Sequence, residues 1–490
     1  MRQTSFEEVR RISESGDYKL IPVTREIYSD LRTPINVLRA IMKVSSHCFL
    51  LESAEDKRNR GRYTFLGFDP SMTLTCKDHE LVINAGGNIH VHTENPGEYI
   101  RQVVEDNRSY RIPGNPPFTG GLVGYFAYDY IKYGEPVLDT PYEDDKGYKD
   151  LDLMLFDKLI CFDNYSQKMI LIANVHTESL EEDYNKAVMD LDNMERLARS
   201  GEFKEPAPGR LLEPLRPKFI EQEYCEKVEK VKHYIHEGDI FQLVLSNPLE
   251  AKYEGSLLNA FRVLRTTNPS PYMFYFSGDE FEIAGASPET LVKVEDGTIH
   301  TFPLAGTRPR GKTPEEDAEL ERGLLADEKE RAEHNMLVDL GRNDLGRLCK
   351  FGTVEVEKYM EIERYSHVMH IGSSVKGELR DEVKASDAVD SVLPAGTLSG
   401  APKIRACQLI HELEGDRRGL YGGAVGYVDF TGNLDVCIAI RLAFKHNGTV
   451  TVRSGAGIVA DSVPEKEFQE CLNKARAVTE ALKEAEVMDE

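Results

Sequence analysis

The 490-residue chain contains no tryptophan, and its eight cysteines stand far apart with no C-x-x-C pair among them. Scattered thiols exclude a structural zinc site built on paired cysteines and fit a reduced, cytoplasmic protein. None of Cys48, Cys76, Cys161, Cys225, Cys349, Cys407, Cys437 and Cys471 has the glycine neighbours of a nucleophile elbow. No run of 18 apolar residues occurs, and MRQTSFEEVRR lacks the apolar stretch of a signal peptide, so neither a spanning helix nor a leader is expected. Basic residues are also in deficit, with 60 Lys and Arg against 84 Asp and Glu and a net charge of −24. That balance disfavours a general nucleic-acid or anionic-membrane surface, because phosphate binding needs a basic footprint. A small anionic substrate in a local basic or metal-lined pocket stays open.

What is present reads as an ordinary globular protein, 40% hydrophobic and 29% charged. The length calls for one large composite domain or two to three smaller ones. Residues 1 to about 200 mix short strands with polar loops. The segment HCFLLESAEDKRNRGRYTFLGFDP (47–70) reads as a short apolar strand, a charged loop and a second strand around Tyr63–Phe68. Runs at 72–76, 80–84 and 88–92 follow, with Ala85-Gly86-Gly87 as a hairpin turn. The glycine- and aromatic-rich FTGGLVGYFAYDY (118–130) suggests close backbone approach in a sheet, and 179–199 reads as helix. The stretch 201–217 carries Pro206, Pro208, Pro214 and Pro217 and is the best linker in the chain.

Beyond it, Tyr224, Val228, Val231 and Ile235 recur at helix spacing, and Gly238 stops that helix. DIFQLVLS (239–246) alternates as a strand with Phe241, Leu243 and Leu245 on one face and Gln242 on the other. A helix is expected near 256–266 and strands at 272–278 and 280–286, while Asp296-Gly297 forms a hairpin turn. Strands near 353–361 and 367–376, a helix near 384–393 and the glycine-rich PAGTLSGAPK (394–403) follow. Strands at 423–430, 436–444 and 449–457 read as a meander, and Pro464 starts a last helix to about 484. Few strand–helix–strand units repeat, so the fold class is α+β with largely antiparallel sheets.

Three features carry chemistry. In DEKERAEHNMLVDLGRNDLGR (327–347), Asp327 can cap a helix that Glu330 closes as a capping box, and Glu330, Glu333 and Leu337 share one side. Glu467 and Glu470 in PEKEFQECLNKARAVTEALK repeat the Glu-x-x-Glu spacing. Two such helices could frame a hard cation such as Mg²⁺, although the same pattern is common on solvated helix faces. Arg441 falls mid-strand in CIAIRLAF, where an inward charge needs a partner, either a structural acid or a substrate carboxylate. His370 in HVMHIG is either a satisfied structural histidine or a proton carrier. GTRPRGKT (306–313) matches the P-loop pattern, but Pro303 in the preceding strand and the acidic start of the following helix speak against a phosphate cradle.

In chain order, IFQLVLS, GASPETL, PLAGTRPRG, ERAEHNMLVDLGRNDLGR, PAGTLSGAPK, GGAVGY, RSGAGIV and PEKEFQECLNKA resemble the chorismate-utilising enzymes, most closely the anthranilate synthase component I branch. The resemblance runs from about residue 225 to 482. It implies an α/β sandwich of two mostly antiparallel sheets with helices outside and the active site in the cleft between them. Residues 1–205 would be an N-terminal regulatory part packed on a chorismate-binding catalytic part, 218–490. It further implies Glu333 and Glu470 as direct Mg²⁺ ligands with Glu330 and Glu467 acting through water. Gly306, Thr307, Tyr421, Arg441, Gly455, Ala456 and Gly457 would line the chorismate site. His370 would be the general acid/base, and Thr397 would sit in the pocket loop. Relatives that add water carry a lysine at the position of Gln242, a neutral residue suited to an ammonia nucleophile. Aminodeoxychorismate synthase relatives, the alternative within the family, carry a lysine at Ala305. The implied reaction turns chorismate and ammonia into anthranilate and pyruvate, with ammonia from a separate glutamine amidotransferase subunit. The implied effector is L-tryptophan at Ser53, Pro271, Tyr272 and Met273, with Tyr427 and Cys437 between the two sites. A non-catalytic tryptophan-binding subunit is a reading that the intact set of Glu333, His370, Arg441 and Glu470 argues against.

Overall fold

The protein is described by a computed structural model over residues 2–54, 60–142, 146–203, 205–364 and 368–488. Period-2 hydrophobic patterning produces two large sheets, one of 13 and one of 12 strands among the described residues. Their ladders are antiparallel. Strand Cys48–Glu52 shows the layering: Phe49 enters the core between the sheets, while Cys48 and Leu50 join the core under the outer helices. Strand Tyr272–Ser277 beside it repeats the pattern, with Phe274 and Phe276 inward and Met273 and Tyr275 outward. The inner layer is aromatic, with Phe49 and Phe156 meeting edge to face at 4.8 Å between centroids and Phe118 stacking on Tyr427 at 4.3 Å. Helices Pro34–Val44, Leu180–Ser200, Leu258–Thr267 and Pro464–Ala485 cover the 13-stranded sheet. Helices Pro96–Asp106, Glu328–Gly346 and Asp387–Val392 cover the other.

Both sheets take strands from both ends of the chain. Cys48–Glu52 pairs with Tyr272–Ser277, and Gly121–Phe126 pairs with Ala424–Asp429. The proline-rich stretch is not a free linker. Arg210–Leu211 and Arg216–Pro217 add short ladders to strand Gln242–Glu254, which fastens the described part of 201–217 to the sheet. The charged loop expected before residue 63 falls largely on 55–59, outside the described residues, as does residue 367 at the start of the expected strand 367–376.

Four expectations about the elements are corrected. Strand Gln242–Glu254 begins one residue after Phe241, which is 69% exposed and shares no face with the buried Leu243 and Leu245. The expected strand 436–444 is two strands, Leu434–Ile438 in the 12-stranded sheet and Leu442–His446 in the 13-stranded one. The C-terminal strands therefore form no single meander, because Ala424–Asp429 lies in the first of these sheets and Thr449–Ile458 in the second. The helix near 384–393 shortens to Asp387–Val392.

Phe276 is fully buried between the sheets. Phe276→Ala should lower stability by roughly 3–5 kcal/mol through lost transfer energy and a residual cavity, read as a lower urea midpoint. An unchanged midpoint would show that the inter-sheet layer collapses around the gap.

Candidate active site

Twice the chain steps from one sheet to the other at the same place. Strand Phe281–Ser287 belongs to the 13-stranded sheet and Thr290–Glu295 to the 12-stranded one, with Pro288 and Glu289 between them. Ala439, Ile440 and Arg441 make the return step. The two crossings are bonded together, Ala286 N–H to the Arg441 carbonyl and Ile438 N–H to the Glu289 carbonyl, each at 3.0 Å.

Arg441 sits at the break, not mid-strand, with φ of 55°, a left-handed conformation that is costly for a non-glycine residue and that persists only where the surroundings impose it. Its guanidinium donates to the main-chain carbonyl of Lys474. Among the described residues it forms no ion pair with a carboxylate, so the structural-acid alternative is not what the fold supplies. Burial holds its pKa below the usual arginine range, against the nearby Tyr421 and Glu470.

Glu289 is a site residue that sequence reasoning passed over, although it stands in GASPETL. Burial pushes its carboxyl up to about 7, opposed by the Thr397 hydroxyl and the Lys474 charge. Thr397, in the turn Gly396–Leu398, donates to Glu289 Oε1 at 3.1 Å. The only available signal was a lone carboxylate between two apolar strand runs.

Beside the crossings, strand Thr449–Ile458 pairs with strand Gln242–Glu254, with Ala456 opposite Leu245 and Gly457 opposite Val244. A Cβ on Gly455 would stand 2.9 Å from the Tyr421 hydroxyl, and one on Gly457 would stand 2.7 Å from Gln242 Nε2. These two glycines thus leave room for Tyr421 and the buried Gln242 to reach the same strand. Lys474, also missed from sequence, donates to the Gly455 carbonyl at 3.1 Å and to Glu470 at 2.7 Å.

On the opposite side, strand Leu304–Pro309 pairs with Val368–Glu378, with Thr307 opposite His370 and a register shift at Gly306, whose φ is 68°. His370 Nδ1 lies 2.9 Å from the Gly306 carbonyl and 3.1 Å from the Thr307 hydroxyl. A carbonyl only accepts, so Nδ1 carries the proton and Nε2 is the acceptor nitrogen of the neutral ring. Burial lowers the His370 pKa, the Gly306 carbonyl raises it and the Arg441 charge lowers it further. Ala305, one residue before Gly306, is buried opposite Ile371.

Helix Glu328–Gly346 is capped by Asp327, which accepts from the N–H groups of Lys329 and Glu330 at 3.1 and 3.3 Å. The Glu330 side chain does not close the capping box; it accepts from Arg308 at 3.3 Å and lies against Gly306. Burial raises the Glu333 pKa, and the Glu330 and Glu470 charges add to the rise. Glu467 is raised by burial and by Glu470, with a Ser462 hydrogen bond opposing. The two Glu-x-x-Glu helices therefore do bring like charges toward one another. Among the described residues no three carboxylate, histidine or cysteine groups converge as a metal cage. Magnesium needs less than that, since it is held through one or two carboxylates and keeps oxygens from water and substrate. The mutually repelling Glu333 and Glu470 fit that requirement.

The P-loop match is occupied by its own chain. Asp317 accepts from Arg310 at 2.7 Å and from Gly311 N–H at 2.8 Å, and Glu316 takes Lys312 N–H. The four candidate effector residues fall together near one strand pair, with Met273 opposite Glu52 and Ala54 N–H bonded to Ser270. They do not share a face. Met273 packs under the outer helices, while Tyr272 lies against the inter-sheet core and donates to Asp435 at 2.7 Å. Cys437 and Tyr427 lie in or against that same inner core, Cys437 opposite Thr290.

The sequence pattern described as chorismate binding enzyme matches residues 46–480. A protein of Acetivibrio thermocellus named anthranilate synthase component 1 is 44% identical over 98% of each chain. Its namesake in Aquifex aeolicus is 45% identical over 99% of each. The crystal structure of anthranilate synthase component I from Streptococcus pneumoniae superposes with a TM-score of 0.74 at 37% identity, covering 85% of this chain and 92% of that one. The Escherichia coli menaquinone-specific isochorismate synthase MenF shares the fold at a TM-score of 0.69 and 20% identity, over 98% and 99% of the two chains.

The Thr397 hydroxyl stabilises the charged form of Glu289, so Thr397→Val should raise the Glu289 pKa beyond its present value near 7. An infrared pH titration of the carboxyl band, assigned by its loss in Glu289→Gln, checks the direction. An unmoved titration would remove Thr397 as the group that tunes this carboxyl.

Proposed function

The chain belongs to the chorismate-binding enzyme family, in its anthranilate synthase component 1 branch, and we propose that it converts chorismate and ammonia to anthranilate and pyruvate. The observation that carries this reading is the convergence at the double sheet crossing of Arg441, Glu289, His370 and the Gly455–Gly457 strand. In it, Gln242 and Ala305 occupy the positions where water-adding and aminodeoxychorismate-forming relatives carry lysine. The tryptophan-free sequence and the position of the branch agree with the first step of tryptophan synthesis from chorismate.

Chorismate carries two carboxylates, and Arg441 together with the amides of Gly455, Ala456 and Gly457 offers donors to them. Gly306 and Thr307 would line the ring side, and Tyr421 would hold the strand face. In the first step ammonia forms the C–N bond at ring carbon 2 while the C4–O bond breaks and water leaves, giving 2-amino-4-deoxyisochorismate. Glu289, a carboxyl held near neutrality, is suited to protonate that departing hydroxyl. Gln242, uncharged and beside Gly457, can orient ammonia without trapping it as ammonium. In the second step the C2 proton is removed, the ring C–O bond to the enolpyruvyl group breaks, the ring becomes aromatic, and the released enolpyruvate takes a proton on its methylene carbon to leave as pyruvate. Neutral His370 has the acceptor nitrogen this proton transfer needs. Glu333 and Glu470 would hold Mg²⁺, with Glu330 and Glu467 acting through water, and the ion would supply a Lewis acid and template for the ring carboxylate.

None of the eight cysteines has the setting of a glutaminase nucleophile, so ammonia from glutamine would come from a separate amidotransferase subunit. L-Tryptophan would act at Ser53, Pro271, Tyr272 and Met273 as a feedback inhibitor. No helix of the described residues is long and apolar enough to cross a membrane, and the scattered thiols favour the cytoplasm.

Purified chain given chorismate, Mg²⁺ and an ammonium salt should produce fluorescent anthranilate with equimolar pyruvate, and L-tryptophan should suppress both. A product that keeps its enolpyruvyl group would instead identify the aminodeoxychorismate reaction. Glu333→Gln should abolish turnover with an unchanged circular dichroism spectrum; near-normal rates would exclude Glu333 from the metal site. Glutamine in place of ammonium should give no anthranilate until an amidotransferase subunit is added, and turnover of glutamine by the lone chain would refute the partner.

A further inference from the structure

Arg418 hydrogen-bonds to none of the side chains assigned above to substrate, yet its side chain and that of Glu414 are wholly buried. Glu414 ends helix Lys403–Glu414, and the arginine returns to it four residues later. Nε donates to Glu414 Oε2 at 2.9 Å and Nη2 to Oε1 at 2.6 Å, a bidentate pair. A buried pair is seldom retained for stability alone, because apolar residues of similar volume do as well. The donors left over show what else this one does.

Nη1 donates to the Leu398 carbonyl at 2.6 Å, and Nη2 donates a second time, to the Val244 carbonyl at 2.7 Å. Leu398 follows Thr397, the residue that bonds Glu289. Val244 lies two residues beyond Gln242 and opposite Gly457. On its other side Glu414 Oε1 accepts from the N–H and hydroxyl of Ser246, at 2.7 and 2.9 Å. The guanidinium carbon stands 5.7 Å from the Tyr421 ring centroid. One planar cation thus bridges the turn behind the proton donor and the strand that begins at Gln242, with a third site element against it.

We propose that Arg418 is a positioning residue: it fixes the Thr397 turn against strand Gln242–Glu254 and thereby keeps Glu289 and Gln242 in register across the substrate. This deepens the chorismate reading and depends on it. Lysine, a compact ammonium with no planar fork, cannot serve Glu414 and two divergent carbonyls together.

The test assays wild type, Arg418→Lys, Thr397→Val and the double variant for anthranilate from chorismate, Mg²⁺ and ammonium. Misplacement of reacting groups should lower kcat of Arg418→Lys by about 10- to 100-fold while KM for chorismate stays within about 3-fold. Thr397→Val should cost far less in the Arg418→Lys background than in wild type, since both act on one turn. Normal kcat in Arg418→Lys, a loss lying mainly in KM, or full additivity with Thr397→Val would overturn the proposal. An inactive wild type would instead overturn the chorismate reading. If Arg418→Lys does not fold, Glu414→Gln keeps the guanidinium and is judged on the same kcat and KM criteria. Failure of both variants to fold would assign the pair to the core alone and refute its positioning role.

Discussion

Two segments of backbone leave one sheet and enter the other side by side, Pro288-Glu289 in one direction and Ala439 to Arg441 in the other, each bonded to its neighbour. A strand residue faces either the inner core or an outer helix. A residue at a crossing faces neither, and so can carry a polar group into the gap without breaking a packed layer. Glu289 and Arg441 occupy those positions. The rest of the candidate site is assembled around them: Thr397 bonds one, and the Lys474 carbonyl of helix Pro464–Ala485 receives the other.

Charge inside the molecule is handled in two ways. Arg453 donates to Asp416 at 2.7 Å and Arg417 to Asp150 at 3.1 Å, and in these pairs the partners favour the charged forms of Asp416, Arg417 and Arg453. In the cleft the shifts run the other way, with Glu289 and Glu333 raised and Arg441 and His370 lowered. Burial there is only partly compensated by the protein's own charges, as expected of groups kept for a charged ligand. Direction alone does not mark a site, since Asp390, beneath helix Pro96–Asp106, is also pushed up to about 7. Convergence at the crossings does.

The candidate effector cluster touches the same construction. Tyr272 lies 3.0 Å from the Thr290 hydroxyl, and Thr290 is the residue after Glu289. Residues more than 200 positions apart in the N- and C-terminal parts meet on the strand pair that leads into the first crossing.

Local rules read much of this from sequence. The Asp327 cap, the Asp296-Gly297 hairpin, and the helices that carry Tyr224 to Ile235 and that start at Pro464 depend on neighbours within a few residues, where propensity and period dominate. The ordered motifs also identified the family and the Glu-x-x-Glu pairs. Glu289, Lys474 and Arg418 were not legible, because each draws its meaning from partners that only the fold brings near. Arg441 was found but misplaced, since the stretch from Val436 to Phe444, apolar except for Arg441 itself, reads as one strand, and nothing local announces that its halves belong to different sheets. Most helices and hairpins, and the family, are legible in the residue order; where the chain crosses between sheets is not, because that depends on pairing between distant strands, and the crossings fix which charged residues stand at the candidate site.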